Sequence, residues 1–121
     1  MTIDEQIDIH KREIDRLKAL KASTVDLKAA VEEAVGTMLC VPRMEICGRV
    51  RTARICDARH SVWFLLTRLG GVSQSEIARM YGRDHTTVMS GVRRIEGWCA
   101  IDVTHRRRLR QAAVYANLLE V

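Results

Sequence analysis

The stretch Val72-Ser73-Gln74-Ser75-Glu76-Ile77-Ala78-Arg79-Met80-Tyr81-Gly82-Arg83-Asp84-His85-Thr86-Thr87-Val88-Met89 leaves the backbone few choices. Ser73 can accept a hydrogen bond from a free amide of a first helical turn, and Glu76 can reach back to the Ser73 amide, which is a capping box. Gly82 can take the positive φ that closes this helix, and Asp84 can cap the next one. In that second helix Val88, Val92 and Ile95 recur at spacings of four and three, so they share one face. His85, Thr86, Ser90 and Arg93 lie opposite. Two short helices joined by a tight glycine turn form a helix-turn-helix. The polar face of its second helix suits a DNA major groove, although the same hairpin also occurs as plain structure.

The rest of the chain points to an all-α fold, a helical bundle carrying the helix-turn-helix. There is one proline, and helical periodicity recurs almost throughout. With 121 residues, 47% of them apolar, the chain can bury one modest core and carry an extension. No run approaches the ~18 apolar residues of a membrane span. The start, Met1-Thr2-Ile3-Asp4-Glu5-Gln6, is polar and acidic, unlike a signal peptide. A cytoplasmic, nucleoid-associated protein is the expectation. Cys40, Cys47, Cys56 and Cys99 have irregular gaps and no Cys-x-x-Cys, so they are expected as buried or half-buried core filler, with no metal site. Charge is uneven. Residues 1–35 hold six Lys/Arg against eight Asp/Glu, and residues 36–121 hold fourteen against seven. An acidic arm followed by a basic body implies that the body faces a polyanion.

Residues 3–22 read as an amphipathic helix with Ile3, Ile7, His10, Ile14 and Leu17 on a coiled-coil-like seam. Residues 1–23 thus form a docking or oligomerisation segment ahead of a domain over 24–121. The seam offers a homodimer contact or a replication-protein partner through Ile3, Ile7, Ile14 and Leu17, or else packs on the body. Ser23 or Thr24 begins a helix that reaches about Leu39 and is over before Pro42. Arg43, Arg49, Arg51 and Arg54 follow in a stretch that is at least partly loop. Closely spaced loop arginines can hold phosphates or enter the narrow minor groove of A·T-rich DNA. Ala53 to Leu69 reads as the central core helix, with Ile55, Ala58, Val62, Leu65, Leu66 and Leu69 inward. The adjacent Trp63 and Phe64 cannot both face that core. Gly70-Gly71 ends the helix. A last helix, capped by Thr104, runs to about Leu119 with Leu109, Ala112, Ala113, Ala116 and Leu119 as its stripe. His105, Arg106, Arg107, Arg108 and Arg110 crowd its first turns.

Arg83-Asp84-His85-Thr86-Thr87-Val88 resembles the signature of the C-terminal DNA-binding domain of the bacterial replication initiator DnaA. The resemblance extends back through Val41–Arg51, which is similar to that family's basic loop, and through Ala53–Leu69, its long helix. It implies a base-reading cluster of Arg83, Asp84, His85, Thr86 and Thr87 in the major groove. It also implies a minor-groove arginine, best matched by Arg51 with Arg49 beside it, and phosphate contacts from Arg59 and His60. Gln74 and Ser75 open a helix whose amides can point at a phosphate, and Arg93, with Arg94, extends the phosphate contacts. Tyr81 is followed by Gly82 alone where the family usually has two glycines, so a turn one residue shorter is expected to shift the recognition helix.

No Gly-x-x-x-x-Gly-Lys-Ser/Thr loop is present, so the initiator's ATPase module is not in this sequence. No catalytic constellation is readable, and no cofactor is expected. The sequence thus implies a stand-alone, non-enzymatic, double-stranded DNA-binding protein. Its expected role is in replication initiation or transcription at A·T-rich, DnaA-box-like sites. The alternative is an adaptor or antagonist that binds a replication protein through the N-terminal helix.

Overall fold

The computed structural model describes residues 24–119; among these it contains helices and no strand. The expected helix over 3–22, with its Ile3, Ile7, Ile14 and Leu17 seam, lies outside the described residues. Helix α1 occupies residues 24–39. It is followed by α2 (Arg43–Cys47), α3 (Ala53–Arg68), α4 (Gln74–Tyr81), α5 (His85–Ile101) and α6 (Val103–Tyr115). None of these helices is long and apolar enough to cross a membrane.

Helix α3 is central, touching α2, α4, α5 and α6. Ile55, Ala58, Val62, Leu65 and Leu66 are buried, as their periodicity predicts. Trp63 joins them and Phe64 is left half-buried. Leu69 departs from the pattern at 41% exposure. It is the C-cap, and the amides of Leu69 and Gly70 both fold back onto the Leu65 carbonyl, so the chain leaves the helix axis there. The stretch after Pro42 is less loop-like than expected. Pro42 sits at the N-cap of α2, its carbonyl accepts from the amides of Glu45 and Ile46, and Ile46 plugs the core. True loop begins only at Gly48.

The C-terminal region corrects the sequence reading. Helix α5 runs through Gly97-Trp98 to Ile101, and Asp102, not Thr104, caps α6. Its Oδ1 accepts from the His105 amide at 3.1 Å and its Oδ2 from the Trp98 indole at 3.1 Å. Those bonds hold the Asp102 carboxyl below its ordinary range. His105 is no part of the exposed basic crowd. It is buried, with its ring stacked 3.5 Å from that of Trp98. Burial keeps His105 below its usual value and therefore neutral. Arg106, Arg107, Arg108 and Arg110 do remain exposed. Leu118 packs on the core instead of Leu119, because Asn117 adopts a left-handed φ of 61° that swings the chain. Only Cys99 is a buried cysteine; Cys56 is half-buried, and Cys40 and Cys47 are exposed.

One fully buried carboxylate ties α1 to the elements around it. Glu32, 0% exposed, accepts from the Tyr81 hydroxyl at 2.7 Å, the Cys47 thiol at 2.6 Å, Arg43 Nε at 3.2 Å and Lys28 Nζ at 3.1 Å. Burial alone would raise its pKa. The hydrogen bonds from Cys47, Tyr81 and Lys28, with the Lys28 charge, more than offset this and leave it below the ordinary value. Removing one partner of such a cluster strands the others. Glu32→Ala is therefore expected to cost about 3 kcal/mol and to lower the thermal midpoint by on the order of 10 °C. Because the folded carboxyl is the stronger acid, its contribution is present above the unfolded glutamate value and is lost as pH falls through the lowered folded one. Thermal melts from pH 7 downward should show that loss in the wild type and not in Glu32→Gln.

Candidate nucleic-acid interface

The turn between α4 and α5 forms as its residues dictate. Gly82 adopts φ 61°, ψ 40°, and the Arg83 amide reaches back to the Ala78 carbonyl at 2.9 Å. At the other end of α4, Ser73 Oγ accepts from the Glu76 amide at 3.1 Å. The Glu76 carboxylate pairs with Arg79 instead of returning to Ser73, so half of the expected box is made. Asp84 holds the N-cap position of α5 in extended conformation, but its side chain makes no capping bond. The carboxylate therefore stands exposed at the front of α5, beside exposed His85, Thr86 and Thr87. Val88, Val92 and Ile95 are fully buried behind them, while Ser90 and Arg93 continue the outer face.

A cleft opens between this turn and the loop after α2. Its lining includes Arg49, Arg51, Arg59, His60, Arg83, Asp84 and Thr87, four guanidinium groups against one carboxylate. Arg49 and Arg51 are exposed. Arg59 is not presented as a phosphate contact. It is 3% exposed; its Nε donates to the Ile46 carbonyl at 2.8 Å, and its Nη2 donates to those of Glu45 at 3.0 Å and Val50 at 3.1 Å. Burial and the neighbouring Arg83 charge both press against its ionised state, and the three carbonyls compensate. Arg83 is half-buried, and its Nη2 donates to the Gly48 carbonyl at 2.9 Å. Gln74, Ser75, His85, Thr86 and Arg93 lie outside the cleft lining.

His60 sits at the cleft edge between charges. Its Nδ1 accepts from Arg94 Nη1 at 3.3 Å, and Arg94 also pairs with Asp57. Burial, then the charges of Arg94 and Arg59, hold the ring below its ordinary value. At neutral pH it therefore offers a hydrogen bond, not a charge. The close approach of α3 and α5 at this point needs Gly91, which sequence reasoning passed over. A methyl group there would stand 2.8 Å from His60 Cδ2 and 3.0 Å from Trp63 Cε3. Trp63 is in turn held edge-on to Tyr81, ring centroids 5.7 Å apart. A glycine inside an otherwise regular helix was the available signal.

The model of the bacterial DnaA protein helix-turn-helix matches residues 29–95, which include the cleft, all of α4 and α5 as far as Ile95. The chromosomal replication initiator protein DnaA of Rhodopseudomonas palustris strain BisB5 is 37% identical over 75 residues, 61% of this chain. The same-named protein of a Ruegeria strain is 34% identical over 120 residues, 91% of this chain. That of a Bradyrhizobium strain is 30% identical over 100 residues, 81% of this chain. The chain spans only 16%, 25% and 21% of these relatives, respectively.

Gly91→Ala tests the packing beneath the cleft. With Trp63 fixed by Tyr81, the added methyl is expected to destabilise the domain by about 1–3 kcal/mol, read as a lower melting temperature. It should also displace the His60 ring resonances.

Proposed function

The chain belongs to the bacterial DnaA helix-turn-helix family, and from that premise we propose that it binds double-stranded DNA with sequence preference. The observation that carries this reading is the arginine-lined cleft set against the exposed front of α5. Asp84, His85, Thr86 and Thr87 enter the major groove. There a carboxylate can accept from a cytosine amino group, and a threonine methyl can meet that of thymine. Arg49 and Arg51 reach the adjacent minor groove, whose negative potential is greatest over A·T-rich tracts. The cleft between them straddles the intervening phosphate strand. Gln74 and Ser75, at the start of α4, and Arg93, on the outer face of α5, hold phosphates. His60 contributes a neutral hydrogen bond. The sites are initiator-type boxes, and their occupation regulates replication initiation or transcription at the nucleoid.

Fluorescence anisotropy with an A·T-rich box duplex and a scrambled duplex tests the proposal. Wild type should prefer the box, and His85→Ala should lose that preference by roughly tenfold. With about six phosphates neutralised, log K should fall against log salt with a slope of about −5. Equal binding to both duplexes would leave phosphate attraction without base reading. Binding to neither would end the DNA reading.

A further inference from the structure

We propose that Arg83 is a positioning residue that couples the basic loop to the recognition helix and so sets how Arg49 and Arg51 enter the minor groove; this deepens the DNA-binding reading above and rests on it. Arg83 immediately precedes Asp84, the N-cap of α5, and Gly48 immediately precedes Arg49. The 2.9 Å bond from Arg83 Nη2 to the Gly48 carbonyl therefore joins the last residue before one groove-facing element to the last residue before the other.

The companion bonds explain why this one matters. Arg59, on the core helix α3, holds the carbonyls of Glu45, Ile46 and Val50. Among the described residues, Arg83 supplies the loop's side-chain bond from the helix-turn-helix itself. Gly48 is extended, at φ −82°, ψ −166°. The Gly48 carbonyl lies in the peptide plane that leads into Arg49, and the Val50 carbonyl in the plane that leads into Arg51. Arg83 holds the first and Arg59 the second. Together they fix the two planes from which Arg49 and Arg51 leave the backbone. Without Arg83 the loop keeps its anchor to α3 but loses its registration on α5.

The geometry separates this role from direct contact with DNA. A phosphate contact contributes about 0.9 to the salt slope whatever the sequence, and a base reader acts at one major-groove position. A strut does neither and shows its effect through Arg51. The experiment compares wild type, Arg83→Ala, Arg83→Lys, Arg51→Ala and the Arg51→Ala/Arg83→Ala double variant. Each is titrated at several salt concentrations against a box duplex and against the same duplex with its A·T tract replaced by G·C. Folding is verified by thermal melts.

Arg83→Ala should lower affinity for the A·T duplex about tenfold more than for the G·C duplex, and this A·T-specific loss should add nothing to that of Arg51→Ala. Arg83→Lys keeps the charge but replaces the guanidinium, and should show the same loss in milder form. It carries the test if the alanine variant melts below the assay temperature. A smaller slope with equal loss on both duplexes would overturn the proposal in favour of a phosphate contact. Losses that add to those of Arg51→Ala would overturn it in favour of base reading. Wild type that binds neither duplex would remove the DNA reading itself.

Discussion

The buried carboxylate of Glu32 is the constraint on which the arrangement of this domain depends. A charge taken out of water is costly unless its oxygens are filled, and here they are filled from three different elements. Lys28 comes from its own helix, Arg43 and Cys47 from the short α2, and Tyr81 from the last turn of α4. The two weak acids among these donors stay protonated because burial and the adjacent carboxylate raise the Cys47 thiol and the Tyr81 phenol. Tyr81 is the residue before Gly82, so the turn of the helix-turn-helix is located by a hydrogen bond to a helix 49 residues earlier. Apolar packing alone would tolerate sliding of α4; a filled carboxylate tolerates much less.

The basic composition of the body conceals a division of labour. Some arginines face inward or sideways and are already engaged: Arg43 with Glu32, Arg59 with three carbonyls, Arg68 with Glu96, Arg83 with Gly48, and Arg94 with Asp57 and His60. Arg49 and Arg51 stand exposed on the loop that the clasping arginines hold. Counting cations gives the sign of the field around the domain, whereas their partners decide which of them a polyanion meets. The exposed arginines of α6 add to that field from the far end of α5, next to the Trp98–His105 stack.

Local rules made the helix-turn-helix legible. Ser73, Gly82 and the Val88, Val92, Ile95 face each act within a few residues of themselves, and each is found as expected. The failures have a common cause, in that they depend on partners remote in sequence or on a choice between equivalent local options. Glu32 reads as one more helix-surface acid until Tyr81 and Cys47 arrive. The resemblance implies a phosphate contact from Arg59, whereas the carbonyls that engage it lie 9 to 14 residues away. Asp102 and Thr104 are both good caps two residues apart. The winner is the one whose second oxygen also reaches Trp98. Composition groups His105 with its arginine neighbours, yet its helical position turns it inward onto Trp98.

The clasp on residues 45–50 separates where a shape is written from where it is displayed. The loop contributes backbone carbonyls and exposed arginines, but the groups that fold it belong to α3 and to the turn before α5. Grafting this loop onto another helical scaffold would transfer its charge without its conformation. The portable unit is discontinuous, a short segment together with two guanidinium groups from distant parts of the chain. Sequence drift in the loop is then tolerable wherever only side chains change. Drift at Arg59 or Arg83, neither of which lies in the loop, would reshape it.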